Sequence, residues 1–142
     1  NHKQVGQKIT RMAFEIYERN LHSQGVVFAG ITGMGTFLAN VLAEELRTIS
    51  PIQIEEVEVV LDKKNISTSE VQLSHQLDFT GKTIILVDDV LNTGKTLVYA
   101  MKPFIDQEIQ KMEIPLDSKI TLETKINELS ETEIVKAIEK KY

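Results

Sequence analysis

The chain has 142 residues and carries 16 Lys and Arg against 21 Asp and Glu, a formal net charge of −5. With 42% apolar and 26% charged residues, that length fits one core and one domain and leaves little room for a second. The acidic balance argues against a protein that coats nucleic acid or an anionic membrane through its overall field, and the absence of cysteine excludes disulfides, thiolate nucleophiles and cysteine-type zinc sites. His2, His22 and His75 are too scattered for a histidine metal cluster. The longest apolar runs, such as Ile84 to Val87, fall far short of the roughly 20 residues of a membrane-spanning helix. No charged-then-apolar leader opens the chain, which begins at Asn1 without Met and so leaves room for residues upstream. A soluble, cytoplasmic domain is the expectation.

From Val5 to Arg19 the apolar residues Val5, Ile9, Met12, Ala13, Ile16 and Tyr17 fall at three- and four-residue steps, the pattern of an amphipathic helix. Gly25 resets the chain, and Val26 to Ala29 is a short apolar run that fits a strand buried on both faces. Gly30-Ile31-Thr32-Gly33-Met34-Gly35 follows, then helical periodicity in Phe37, Leu38, Val41, Leu42 and Leu46. Strand, glycine-rich turn and helix open a parallel α/β unit. Phe14, Tyr17, Phe28 and Phe37 take core-like positions.

Pro51 closes the helix region, and Ile52, Ile54, Val57, Val59 and Leu61 give a second strand, interrupted near Glu55-Glu56 and with Glu55 to Glu58 read as a solvated strand edge. Asp62 to Glu70 is a polar loop or hairpin tip, and Val71, Leu73 and Leu77 suggest a returning strand. After the turn at Gly81, Thr83 to Val87 is the clearest buried strand. A helix is expected from about Thr96 to Lys102, ending at Pro103. Beyond it, Lys119 to Thr124 alternates like a strand, and the capping box Ser130-Glu131-Thr132-Glu133 starts a short amphipathic helix through Ile134, Val135, Ala137 and Ile138. His22 and His75 are read as surface or satisfied polar residues.

The chemistry concentrates in Ile84 to Leu97, which reads Ile-Ile-Leu-Val-Asp-Asp-Val-Leu-Asn-Thr-Gly-Lys-Thr-Leu. A buried strand delivers two adjacent carboxylates, Asp88 and Asp89, to its C-terminal end, where α/β proteins bind ligands. A turn of small and polar residues follows and opens onto a helix N-terminus, a cradle for phosphate. Carboxylates before such a cradle repel phosphate but accept hydrogen bonds from a sugar diol. Phosphate at one end and hydroxyls at the other describe a ribose 5-phosphate. Gly94-Lys95-Thr96 also looks like the end of a nucleotide-binding P-loop, but that motif needs glycine where this chain has Asp89. A receiver of the response-regulator kind also ends a strand in paired acids, yet near its first strand, whereas this pair stands at 88 and 89. The bland reading is an acidic strand end before a solvated turn.

Ile84 to Leu97 resembles the 5-phosphoribosyl 1-pyrophosphate (PRPP) signature of the type I phosphoribosyltransferases: four hydrophobic residues, two acids and a Thr-Gly-Lys-Thr turn. More loosely the resemblance spans Val5 to Ile114, and within the family the chain is most similar to the pyrimidine-operon regulators with uracil phosphoribosyltransferase activity. It implies an α/β fold with a mainly parallel central sheet flanked by helices. It implies that Asp88 and Asp89 bind the ribose hydroxyls at the catalytic centre, and that Asn92, Thr93, Gly94, Lys95 and Thr96 hold the 5-phosphate. Thr32, Gly33, Met34 and Gly35 would meet pyrophosphate, although many relatives carry Lys or Arg in that turn and this chain does not. Asp62 to Ser74 matches the hairpin that closes over PRPP, with Lys63 and Lys64 as its cations, either meeting pyrophosphate or standing in solvent.

The implied reaction is displacement of pyrophosphate at the anomeric carbon by a nitrogen of a pyrimidine or purine base, with Mg²⁺ accompanying PRPP and no protein ligand assigned to the metal. The resemblance implies a homo-oligomer, a dimer at the smallest. The alternative is a non-catalytic PRPP- or nucleotide-sensing regulator; contact with RNA finds no support in the −5 charge. Residues 1–114 form the phosphoribosyltransferase-like core in this reading, and 115–142 a C-terminal strand–helix segment of the same domain. The family continues beyond Pro103 into another core strand and a base-recognising hood, a continuation not read after Met112-Glu113-Ile114. Either the hood is divergent, or the chain is part of a longer one.

Overall fold

The computed structural model describes residues 2–62, 64–65, 70–88, 95–105 and 111–113. Helix α1 (His2–Arg19) leads into strand β1 (Val26–Ile31), helix α2 (Met34–Ile49) and strand β2 (Ile54–Val60). Strands β3 (Gln72–Leu73) and β4 (Thr83–Val87), helices α3 (Lys95–Ala100) and α4 (Lys102–Ile105), and strand β5 (Lys111–Glu113) complete the described order. The sheet runs β3-β2-β1-β4-β5. β1 is parallel to both β2 and β4, β4 is parallel to β5, and only β3 is antiparallel, to β2. The α/β fold with a mainly parallel, helix-flanked sheet is the one the sequence implies.

Alternation along the strands sorts the core into two clusters. On one face, Val26 and Phe28 of β1 and Ile85 and Val87 of β4 meet Ile9, Met12 and Ile16 of α1 and Leu38, Leu42 and Leu46 of α2. On the other, Val27, Ala29, Ile31, Val57, Val59, Ile84 and Leu86 meet Phe79, Ala100 and Phe104. All six residues of β1 are buried, as the apolar run between glycines predicts. The two helices on the first face are tied by the Thr10 hydroxyl, which donates to Glu45 Oε1 at 2.8 Å.

α2 stops where the sequence says it must. Pro51 disfavours helical geometry at Ser50, which is extended, and whose N–H and hydroxyl both return to the Leu46 carbonyl, at 3.0 and 2.9 Å. The helix expected from Thr96 to Lys102 is instead two short ones. Pro103 offers no N–H and its ring crowds the carbonyl four residues back, so α3 ends at Ala100. Pro103 then takes the second position of α4, where a missing donor costs nothing. The bonds Met101 N–H to the Val98 carbonyl and Phe104 N–H to the Met101 carbonyl tighten the join.

Three further expectations are corrected. Phe14 is 46% exposed: two residues past Met12 it lies about 200° around the helix from the buried stripe. Phe28 is fully buried, and Tyr17 and Phe37 pack at the rim of the first cluster. β2 is unbroken at Glu55-Glu56, and its glutamates are paired rather than merely solvated: Glu55 with Lys82, Glu56 with Asn40 and Arg47, Glu58 with Thr36. Lys111–Glu113 forms a strand beside β4, so a core strand does follow Pro103; three residues, two of them charged, carry no readable alternation. The strand and helix expected after residue 118 lie outside the described residues.

α3 and α4 are anchored by Phe104, whose ring meets Phe79 edge to face at 5.0 Å between centroids. Phe104→Ala should lower the unfolding free energy by about 3–5 kcal/mol, read by urea denaturation. A loss no larger than that of an exposed side chain would refute the anchoring role.

Candidate functional site

β1 and β4 are neighbours, but the chain leaves them in opposite senses. After β1 it enters α2 on one face; after β4 it proceeds toward α3 and α4 on the other. This is a topological switch point, the place at the C-terminal strand ends where open α/β sheets have their ligand crevice.

The turn from β1 into α2 is shaped by close approach. A Cβ on Gly30 would lie 2.5 Å from Thr36 Cα and 2.8 Å from the Gly35 carbonyl oxygen. One on Gly35 would lie 2.6 Å from the Val87 carbonyl oxygen, 3.1 Å from Asp88 Cα and 3.4 Å from Asp88 Oδ1. The absence of side chains at 30 and 35 therefore lets the turn fold back onto β1 and lie against the end of β4. Only Gly33 needs glycine for its backbone: φ is 98° and ψ −134°, and the space around it is open.

Gly33 caps α2 without a side-chain hydrogen bond, and the first turn of the helix holds no acidic residue. Its leading amides therefore carry the positive end of a 16-residue helix dipole, a setting that favours an anion. Thr32 faces the other way. Its N–H donates to the Val59 carbonyl at 3.0 Å, its hydroxyl to the same oxygen at 2.9 Å, and that hydroxyl accepts the Leu61 N–H at 3.3 Å. Thr32 stitches the turn to β2, leaving Gly33 exposed and Met34 half-buried, with Gly35 buried against the end of β4.

Asp88 directly follows β4, is 1% exposed and lies against Gly35. The structure thus brings together Asp88 and the turn at Thr32 to Gly35. Asp89, Asn92, Thr93 and Gly94 lie outside the described residues; Lys95 opens α3 and Thr96, half-buried, follows it. Of the two loop lysines, Lys63 lies outside the described residues and Lys64 is exposed. His22 and His75 are exposed, and His75 Nδ1 lies 3.1 Å from the Ser74 hydroxyl. A concavity of about 400 Å³ lined by Val71, Gln72, Leu73, Gln76 and Pro103 contains none of the expected site residues.

Asp62 organises the start of the loop after β2. Its carboxylate accepts the Lys64 N–H at 2.9 Å and the Asn65 side-chain amide at 3.1 Å. These bonds, the Asn65 amide first, hold its carboxyl below the ordinary value of 3.8.

Thr36 and Glu58 were not legible as site residues. The Thr36 hydroxyl donates to Glu58 Oε2 at 2.9 Å, just behind the turn. The available signal was weak: a threonine one place after the last glycine, and a glutamate on the α2-facing side of β2.

Among the described residues, no group of three or more His, Asp or Glu side chains is placed to hold a metal ion. Mg²⁺ needs no such cage when it arrives on phosphates, since it keeps waters and takes one or two carboxylates. Asp88 beside the glycine turn, an oxygen donor next to an anion-favouring helix end, fits that mode. No described helix is long and apolar enough to cross a membrane.

Comparison with known proteins gives the same picture. Residues 1–115 match the phosphoribosyl transferase domain family, and the chain belongs to that family. It is 36% identical over 104 residues to the bifunctional protein pyrR of Enterococcus faecalis, an alignment covering 69% of this chain and 58% of that protein. The chain thus spans little more than half the length of that relative. Among solved structures, it is similar to a hypoxanthine-guanine phosphoribosyltransferase from Bacillus anthracis, with a TM-score of 0.63, 18% identity, and coverage of 80% of this chain and 65% of that one. A hypoxanthine phosphoribosyltransferase from Trypanosoma cruzi in complex with IMP gives a TM-score of 0.68 at 12% identity, with 80% and 65% covered.

Gly35→Ala and Gly33→Ala should each cost about 1–3 kcal/mol, the first by overpacking and the second by backbone strain. Amide shifts at Val87 and Asp88 separate them: Gly35→Ala moves these signals and Gly33→Ala leaves them in place. Equal perturbation by both would contradict the contact across the crevice. Because the native fold favours the Asp62 carboxylate, its contribution is full above 3.8 and disappears as pH falls through the lower folded-state value. A carboxyl-carbon NMR titration of Asp62 should accordingly show a midpoint below 3.8; a midpoint above it would rule out the turn as drawn.

Proposed function

We propose that the protein transfers the ribose 5-phosphate of PRPP to a nitrogen of a pyrimidine or purine base, releasing pyrophosphate. The observation that carries this reading is the convergence of an uncapped, glycine-built helix start with a buried aspartate at the switch point of a parallel sheet. Family membership and the signature from Ile84 to Leu97 support it.

In this reading Asp88 and Asp89 accept hydrogen bonds from the two ribose hydroxyls and fix the sugar ring. Asn92, Thr93, Gly94, Lys95 and Thr96 take the 5-phosphate, through turn amides, hydroxyls and the lysine charge. Gly33, Met34 and Gly35 present backbone N–H groups to pyrophosphate, while Thr32 holds their turn from behind. The bond from C1 of the ribose to the pyrophosphate oxygen breaks with its electron pair leaving on pyrophosphate, and the base nitrogen forms the new bond to C1 and gives up its proton to water. Mg²⁺ bound with PRPP supplies neutralisation of the leaving group's charge. The chain's own contribution is positioning and fixed dipoles aimed at the charge that develops. A loop carrying Lys63 and Lys64 would, on closing, exclude water from the cationic ribose. A single domain of core residues 1–114 and C-terminal residues 115–142, a cytoplasmic location and a homo-oligomer go with this reading.

A second reading, a PRPP or nucleotide sensor without turnover, is favoured by one feature. The segment from Gly30 to Gly35 holds no Lys or Arg, and Thr32 spends both its donors on Val59, so pyrophosphate would be met by few groups.

Calorimetric titration with PRPP, with and without Mg²⁺, tests the site, and pyrophosphate release across a panel of bases separates enzyme from sensor. Binding is expected to require Mg²⁺. The double variant Asp88→Asn with Asp89→Asn should lose at least about tenfold in PRPP affinity while remaining folded; unchanged affinity would remove the diol assignment.

A further inference from the structure

Glu58 stands in parallel register with Gly30, the residue that ends the apolar run of β1. Because Gly30 has no side chain, the space over it is filled by Thr36 from the first turn of α2. The Thr36 hydroxyl has one proton and three oxygens within reach: Glu58 Oε2 at 2.9 Å, the Ile31 carbonyl at 3.3 Å and the Gly30 carbonyl at 3.4 Å. The carboxylate is both nearest and charged, so it takes the proton.

Glu58 is itself held on a fixed frame. Its N–H donates to the Ser74 hydroxyl and its carbonyl accepts the Ser74 N–H, both at 2.9 Å, on the edge opposite β1. The carboxylate therefore sits on a strand gripped from both sides, and reaches across to Thr36, whose hydroxyl also lies against the Gly30 and Ile31 carbonyls. A negative charge beside a turn meant for an anion is costly if it serves nothing. The site tolerates Glu58 because its charge is committed to Thr36 and complements the positive end of α2.

We infer that Glu58, acting through the Thr36 hydroxyl, is a positioning residue that fixes the amides of Gly33, Met34 and Gly35 for the pyrophosphate group. The inference rests on the phosphoribosyl reading for its ligand, but not for the mechanical role of the contact. Glu58 touches no substrate. It sets the direction in which the helix start points.

The test uses the full chain, wild type and variant, titrated separately with inorganic pyrophosphate plus Mg²⁺ and with ribose 5-phosphate. Glu58→Ala and Thr36→Val should each weaken pyrophosphate binding about tenfold, and leave ribose 5-phosphate binding unchanged. The two together should be no worse than either alone, because both remove one contact. Glu58→Gln and Thr36→Ser preserve an acceptor and a donor, and should restore most of the affinity.

Hydrogen exchange without ligand supplies the independent arm. Amides 33–36 should exchange faster in Glu58→Ala and Thr36→Val, with Ile84 to Val87 protected as in wild type. Equal loss for both ligands, tighter pyrophosphate binding on removing the charge, or unaltered exchange at 33–36 would each overturn the positioning role. If the wild-type protein binds neither ligand, the phosphoribosyl reading fails, and exchange at 33–36 alone decides whether Glu58 holds the turn.

Discussion

The fold depends on how closely backbone can approach backbone where β1 turns into α2. At Gly30 and Gly35 even a methyl group would penetrate neighbouring main chain, at 2.5 Å from Thr36 Cα and 2.6 Å from the Val87 oxygen. That contact fixes the start of α2 over β1 and presses the turn against the end of β4. The seating of α2 on β1 and the contact of the turn with Asp88 both follow from it. A side chain at either place would part the two strand ends that the crevice needs side by side.

Around that contact the polar groups are arranged to hold, rather than to face solvent. Thr32 binds the β2 carbonyl at Val59, Thr36 binds Glu58, and Ser74 binds Glu58 from the far side. The result is a glycine turn that is restricted in sequence and fixed in space. Preorganisation of this kind is what anion recognition by amides demands, since loose amides would spend binding energy on their own ordering.

Much of this was legible because it rests on periodicities. β1 and β4 are short apolar runs ending in glycine or aspartate, and α1 and α2 repeat their apolar residues at helical steps. The acid pair and the Thr-Gly-Lys-Thr turn pointed to a ribose-phosphate site by chemistry alone, and of them the described residues include Asp88, Lys95 and Thr96. Phe14 shows where the pattern misleads: its type suggests the core, while its angle on the helix puts it outside. β5 was illegible because three residues cannot display an alternation, and its place is set by pairing with β4. Pro103 was read as an end when its geometry also serves a beginning. Thr36 and Glu58 escaped for a deeper reason. Their partnership joins residues 22 positions apart, and register across a parallel ladder is not written in either segment.

The order of the sheet also dictates when the crevice can exist as the chain is made. β1 is central and buried throughout, yet its partner on one side, β4, is encoded more than fifty residues later. During synthesis α1, α2 and β2 can gather on β1 while its other edge stays open, a row of unpaired backbone groups on an entirely apolar strand. Such long-range parallel pairing is slow to form. Until Thr83 to Val87 pair with it, β1 keeps that apolar edge open, and the same pairing is what brings Asp88 against the turn at Gly35.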